Sequence, residues 1–344
     1  MAIYKLGELF DISSGSTPST KDEKYWNGNL NWYTPIDIKN NTHTDRMICD
    51  DFHKSIPKET VIMSSRAPIG YVGMTKSESW HSQGVKGFVN KSNDKIENKY
   101  FYYWLILNSK TFEKFSVGST FSEISKTQLE KLFIEIPSIQ EQQKIIDIIE
   151  PLETISTKIK TTKKAIISLL KMIANHKIEN TDELLINHLT FEKGKNGPKE
   201  FETSGTPFLD VRTLNTRIPS KFVKDKPNTF RSEILLSLDA TIGLVDWFIE
   251  GFNGYLYNLK SDHLTKAEIL LNVLNSINKK IIEMNATGST IKHASKAKKE
   301  MLYFKLNQEW KDITNTLFKL LILIEEIDAK KTKLYQLCIN LLIR

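Results

Sequence analysis

Cysteine is scarce here: Cys49 and Cys338 are the two in 344 residues. So far apart in sequence, they do not make a disulfide scaffold. Long apolar runs are missing too. The best candidate, 317–327, carries Lys319, Glu325 and Glu326 and is too short to span a bilayer. The opening Met1-Ala2-Ile3-Tyr4-Lys5 lacks the layout of a signal peptide. Together these absences point to the cytoplasm and away from a membrane.

Catalytic signatures are absent as well. There is no GxxxxGK[ST] phosphate loop, and Gly194-Lys195-Asn196-Gly197 resembles one only in composition. A DNA amino-methyltransferase would need a nucleoside-binding glycine motif and an Asn/Asp-Pro-Pro-aromatic tetrapeptide, and neither occurs. Cys49 with His53 is a lone pair without zinc spacing, and no G-x-S-x-G marks a nucleophile. The expectation is a non-enzyme: no catalytic residue, no metal and no cofactor in this chain.

What is present describes a soluble globular protein, with 40% hydrophobic and 26% charged residues, long enough for two or three domains. The net charge of +7 favours a polyanionic partner. Arginine is rare, yet Arg212, Arg217 and Arg231 share one window with Lys193, Lys195, Lys199, Lys221, Lys224 and Lys226. A second basic run covers 292–299. A Lys-rich, Asn-rich chain from an AT-rich genome would show the same totals, but the clustered arginines lean toward nucleic acid.

Two helical stretches organise the chain. Ile145, Ile148, Leu152, Ile155, Ile159, Ile166, Leu169 and Ile173 alternate steps of three and four, with Thr162 in the one polar slot. That is the seam of a helix meant for another helix. Shifted by 168, the chain reads Ile313, Thr316, Leu320, Leu323, Ile327, Lys330, Leu334, Leu337 and Leu341. The copy keeps the register, so the two helices are read as an intramolecular antiparallel pair, with Thr162 and Lys330 roughly facing each other. Ser138-Ile139-Gln140-Glu141 fits a capping box and starts the first helix. Pro151 predicts a kink or break, and the helix should fade over 175–180.

The segments before each helix also repeat. In the first, 3–12 reads as a short helix, 31–35, 60–64, 71–72, 85–89 and 132–136 as strands, and 100–107 as an aromatic helix on the sheet. Thr34-Pro35-Ile36-Asp37-Ile38 is echoed by Thr206-Pro207-Phe208-Leu209-Asp210-Val211, which puts Asp210 173 residues after Asp37. Ser64-Ser65-Arg66-Ala67-Pro68-Ile69-Gly70 lies on Ser237-Leu238-Asp239-Ala240-Thr241-Ile242-Gly243 at the same offset of 173. Gly118-Ser119-Thr120 and Ser125-Lys126 recur as Gly288-Ser289-Thr290 and Ser295-Lys296 at 170.

A Gly-Ser-Thr loop is ordinarily a turn, but its recurrence fits hydroxyls and amides offered to phosphates. Arg66 against Asp239 suits two domains that hold one backbone and read different bases, Arg favouring guanine and Asp accepting from cytosine. The plainer alternative is that both form local salt bridges. Gln83, beside Trp80 and His81, has the chemistry to pair with adenine or simply to be solvated.

The opening Leu-Gly-Glu-Leu-Phe-Asp-Ile-Ser-Ser-Gly-Ser-Thr-Pro, the Ser-Ser-Arg-Ala-Pro-Ile-Gly element, and above all Ile-Glu-Ile-Pro-Ser-Ile-Gln-Glu-Gln-Gln-Lys-Ile resemble the specificity (S) subunit of type I restriction–modification systems. The resemblance covers essentially the whole chain. It departs in a shorter second half and in Asn307-Gln308-Glu309-Trp310, which replaces the second proline and Gln-rich helix start. It implies an α+β protein: two mixed α/β target-recognition domains, 1–137 and 181–307, separated by two long antiparallel helices, 138–180 and 308–344, forming an intramolecular coiled coil. It also implies double-stranded DNA as partner, two methyltransferase (M) subunits bringing S-adenosylmethionine, and restriction (R) subunits using ATP and Mg2+.

The candidate DNA-binding residues are Ser13, Ser16, Thr17, Arg66, Gln83, Ser119 and Thr120 in the first domain. In the second they are Lys193, Lys195, Arg212, Arg217, Lys224, Asp239, Ser289, Thr290 and Lys292. A helix over 138–173 would span about 54 Å at roughly 1.5 Å per residue, about one and a half turns of B-DNA at ~34–36 Å each. Two alternatives stand beside this: a specificity subunit of a related system whose nuclease and methyltransferase are fused in one partner, and a coiled-coil scaffold that binds no DNA.

Overall fold

The computed structural model describes residues 1–40, 46–49, 55–112, 123–176, 178–195, 197–198 and 200–342. The chain forms two compact units, 1–155 with 331–344, and 156–330. Each of the two longest helices contributes to both.

In the first unit Ala2–Lys5 pairs antiparallel with Phe133–Ile136. The expected helix over 3–12 is instead a strand, one helical turn (Leu6–Leu9) and a second strand, Phe10–Ser14. Phe10, Ile12 and the turn's Leu6 and Leu9 are all buried, so tertiary packing decides the local structure. Phe10–Ser14 edges a four-stranded antiparallel sheet, continued by Val85–Asn90, Val61–Ser64 and Val72–Met74. A second sheet holds Met47–Ile48, Trp26–Tyr33 and Ser79–His81, the last two parallel. Helix Asn98–Phe112 supplies the aromatic core. Tyr100, Phe101 and Tyr103 are buried, and Phe101 stacks on Phe10 at 4.1 Å between centroids.

The second unit repeats the plan. Ile178–Leu184 pairs with Leu302–Leu306. Thr190–Lys193, Tyr257–Lys260, Ile234–Leu236 and Val245–Asp246 form a four-stranded sheet in the corresponding order. Phe222–Val223, Thr206–Leu209 and Phe252–Asn253 form the three-stranded one, again with one parallel pair. The repeat seen in sequence is therefore a repeat of topology.

The central helix, Ile139–His176, starts at the expected capping box: Ser138 N donates to Glu141 Oε2 at 3.0 Å, and Glu141 N donates to Ser138 Oγ at 3.4 Å. The Ser138 hydroxyl, which donates to Glu141 Oε2 at 2.9 Å, and the Ser138 backbone N–H hold the Glu141 carboxyl below its ordinary range. Pro151 lies inside the helix without breaking it. Its own face and that of Asp147, whose carbonyl loses its donor, are exposed to water.

The C-terminal helix, Gln308–Leu342, runs antiparallel to it. In the first unit Tyr335 donates to Glu153, and Ile339 packs in a core with Ile145, Ile146 and Ile149. In the second, Glu325 pairs with Lys163, while Phe318 and Leu321 share a core with Ile166, Leu170 and Ile173.

The seam expected on the C-terminal helix is not the face that packs. Leu320, Leu323, Ile327, Leu334, Leu337 and Leu341 are 44–57% exposed, and Ile313 is 39% exposed. The buried residues are Thr314, Phe318, Leu321, Glu325 and Ile339. The helix carries two apolar stripes, and the regular heptad one points outward. On the central helix Ile145, Ile159, Ile166 and Ile173 are buried as expected, whereas Ile148, Ile155 and Leu169 are exposed. Thr162 and Lys330 are both exposed and, in this register, about one turn out of line.

Candidate nucleic-acid interface

The same loop cluster is built in each unit, starting from a glycine at the end of the first sheet strand. A Cβ on Gly15 would lie 2.0 Å from the carbonyl oxygen of His81 and 2.3 Å from its Nδ1. One on Gly194 would lie 2.4 Å from Asn253 Oδ1 and 2.5 Å from the Asn253 carbonyl oxygen. Glycine is required at both places because the chain crosses directly over a buried side chain. The next amide, Ser16 N or Lys195 N, donates to the carbonyl of that buried residue at 3.0 Å in both units. His81 and Asn253 are thus counterparts, each ending a strand parallel to its neighbour.

His81 is fully buried, stacked on Trp80, with Nε2 2.7 Å from Ser13 Oγ. Burial pushes its pKa down to about 4, so the ring is neutral at pH 7. Asn253 closes its loop differently, donating to Leu256 O and accepting from Leu256 N, both at 3.0 Å.

Above this floor, Trp80 and Trp32 indole N–H groups donate to Ser16, at Oγ (3.2 Å) and O (3.0 Å). Thr17 Oγ1 donates to Gln83, and both side chains are exposed. Ser16, Thr17 and Gln83 thus lie above this floor, whereas Ser13 turns its hydroxyl inward to His81 and Gly87 O. Ser119 and Thr120, with the loop over 117–120, lie outside the described residues.

The turn over 64–70 and its copy over 237–243 are stapled by one serine each. Ser64 Oγ donates to Pro68 O at 2.9 Å and accepts from Tyr71 N at 2.9 Å. Ser237 Oγ donates to Thr241 O at 2.5 Å and accepts from Leu244 N at 3.0 Å. Gly70 and Gly243 close the turns at φ +93° and +75°. Each turn is joined to the later loop by a backbone bond: Ile124 N donates to Ser65 O, and Ala294 N to Leu238 O.

Beside these bonds sit the charges. Arg66 Nε donates to Glu123 Oε2 at 2.9 Å, and Lys86 Nζ stands 3.5 Å from Glu123 Oε1. Burial pushes the Lys86 pKa down, against the pull of Glu123. In the second unit Asp239 takes the arginine's place, with His293 Nδ1 at 2.8 Å and Lys193 Nζ at 3.1 Å. Burial acts to raise the Asp239 pKa, but hydrogen bonds from His293 and Lys193 outweigh it and hold it below the ordinary range. Each unit thus sets one carboxylate between two nitrogen bases, with carboxylate and partner exchanged between the two loops.

The remaining candidates divide in two. Lys195, Arg212, Ser289, Thr290 and Lys292 are exposed, as is Lys224, which pairs with Glu202 at 3.1 Å. Arg217 is different. It caps its helix in the left-handed conformation, φ 56°, and its guanidinium donates to Asp246 (2.5 Å) and Glu325 (2.6 Å). It fastens the loop to the C-terminal helix within the second unit, away from the exposed group. Asn253, Lys86, Glu123 and His293 escape notice in sequence, because nothing local marks them, and His81, expected in a loop beside Gln83, is instead the buried end of strand Ser79–His81.

The offset between Asp37 and Asp210 also changes. Thr34 leads helix Pro35–Asn40, and its N and Oγ1 donate to Asp37 Oδ2 at 2.8 and 2.6 Å. Asp210 caps helix Val211–Thr216, accepting from Thr213 N at 2.8 Å and Thr213 Oγ1 at 3.0 Å. Asp210 thus corresponds to Thr34, and the two partners of the cap have exchanged places.

Comparison with known proteins places this architecture. Residues 1–169 match the type I restriction modification DNA specificity domain. The chain is 29% identical over 252 residues to the type I restriction enzyme MjaIX specificity subunit of Methanocaldococcus jannaschii, covering 62% of this chain and 57% of that protein. It is 24% identical over 168 residues to the EcoR124I/EcoR124II specificity subunit of Escherichia coli, covering 45% and 41%. Each match spans less than two thirds of the relative's own length. The S subunit of the M. genitalium type I restriction–modification system shares the fold, with a TM-score of 0.66 over 100% of this chain and 96% of that one, at 16% identity. By sequence this chain is similar to type I specificity subunits, with residues 1–169 matching the specificity domain, and it shares its fold with one solved S subunit.

Proposed function

We propose that this relative of the type I specificity subunits is a non-catalytic DNA-binding subunit that reads a bipartite target and directs partner subunits to it. One observation carries the reading: a single loop frame is presented twice, around Arg66, Glu123 and His81 in one unit and Asp239, His293 and Asn253 in the other. A constant backbone with exchanged side chains is what two readers of different half-sites require.

Arg66 reads guanine, Asp239 accepts from a cytosine amino group, and Gln83 pairs with adenine. Ser13, Ser16, Thr17, Ser119, Thr120, Ser289 and Thr290, with Lys193, Lys195, Arg212, Lys224 and Lys292, orient the duplex through its phosphates. Arg217 serves from behind by holding its domain on the helix. The recognition domains are 1–137 and 181–307, and the helices of 138–180 and 308–344 act as the ruler between half-sites. No helix among the described residues is long and apolar enough to cross a membrane, in keeping with work on cytoplasmic DNA.

The outward stripe of the C-terminal helix supports docking of two methyltransferase subunits, since an exposed apolar row in heptad spacing fits partner helices. Those subunits would bring S-adenosylmethionine, and restriction subunits ATP and Mg2+. A partner gene with fused nuclease and methyltransferase would assign the chain to the related class of system instead.

Four residues inserted into both helices add about one helical turn, ~6 Å. Methylation sites mapped by sequencing should then show a longer nonspecific spacer. Unchanged spacing would contradict the ruler.

A further inference from the structure

We propose that Glu123 and His293 are positioning residues for DNA recognition: each latches the reading side chain of its own unit, and DNA must open the latch to be read. The inference rests on the DNA-reading role above and adds residues and a step to it.

The geometry that points there is the repeated pair. Arg66–Glu123 and Asp239–His293 join the same two loops, next to the same backbone bond, with opposite polarity. The side chains are half-open: Arg66 is 48% exposed and Glu123 32%, His293 57% and Asp239 20%. Pairs that exposed add little to folding. What survives a reversal of polarity is the pairing itself.

Chemistry gives the pairing a use. A carboxylate on a guanidinium occupies the donors that guanine N7 and O6 or a phosphate would take. A histidine on a carboxylate likewise occupies the acceptor that a cytosine amino group would need. A closed pair therefore keeps each reader in place and off indiscriminate contacts. An incoming base edge must replace a partner worth roughly a salt bridge at a partly exposed site, so opening costs binding about two- to five-fold. Lys86 and Lys193 lie on the carboxylates of the two pairs and remain to hold them once the partner is released.

The test is a double-mutant cycle on the full chain. A randomised duplex pool is first selected against the wild-type protein, and the enriched duplex becomes the probe. Glu123→Gln should bind that duplex about two- to five-fold more tightly than wild type, with both proteins compared at a temperature where each is folded, since the change also takes a charge from buried Lys86. In an Arg66→Ala background the same substitution should gain nothing, because no reader is left to release. His293→Ala should behave alike against Asp239→Asn. An equal gain in the Arg66→Ala background would mean simple removal of negative charge and would overturn the latch, as would no gain in either background. If no duplex is enriched at all, the DNA-reading role fails and the latch falls with it.

Discussion

The two units solve one problem, a mixed α/β domain resting on a helix pair, with different chemistry. In the first the helix pair holds a carboxylate by neutral donors: Tyr103 and Tyr335 hydroxyls each donate to Glu153 at 3.1 Å. Burial pushes the Glu153 pKa up. In the second the carboxylate is Glu325, 4% exposed and held by Arg217 and Lys163. Each unit thus keeps one carboxylate at its helices, with neutral donors around it in the first and cations in the second.

That difference is easiest to break at Glu325. Glu325→Ala takes the carboxylate from Lys163 and leaves Arg217 with Asp246 alone beside an apolar core, and should destabilise the second unit by about 3 kcal/mol. Glu153→Gln keeps an acceptor oxygen for one tyrosine and offers an amide N–H to the hydroxyl oxygen of the other, and should cost about 1 kcal/mol or less. Hydrogen exchange read separately over 1–155 and 156–330 checks both. Equal losses in the two units would remove the distinction.

Next comes acid, which should divide the units at His81 and Asn253. The folded His81 pKa, about 4, lies below its ordinary 6.5. Its contribution is therefore complete above pH 6.5 and is lost as pH falls toward 4, on the order of 3 kcal/mol in all. Glu153 acts the other way. Its raised pKa favours the folded state at low pH, and that contribution fades as pH rises through the folded value. Comparing wild type with His81→Asn cancels the Glu153 part. The first unit of the variant should melt higher than wild type at pH 4.5, while the second unit is unmoved. A difference between wild type and His81→Asn in the first unit that stays the same at pH 7 and pH 4.5 would count against the buried neutral histidine.

How much of this was legible beforehand follows from locality. The Ser138 cap and the serine-stapled turns are set by residues within a few positions, and they stand where the sequence puts them. The cap at Thr34 and Asp210 was misaligned because its two partners exchange places, so matching letters gave the wrong offset. His81 and Asn253 share a place and no chemistry, and only the crossing glycines, Gly15 and Gly194, betray it. The stripe on the C-terminal helix was legible as a seam but not as to which side it faces, since heptad spacing records that a helix will be covered and not by what. The ion pairs bring together residues more than fifty positions apart, beyond the reach of local patterns.

The central claim is one frame used twice, each unit reading its own half of a split target. It is tested most directly by sequencing DNA methylation in cells that express the chain with a methyltransferase partner, for wild type, Arg66→Ala and Asp239→Asn. The account predicts a bipartite motif in which Arg66→Ala relaxes bases in one half only and Asp239→Asn in the other half only. A single undivided motif, or one in which both substitutions alter the same half, would contradict it.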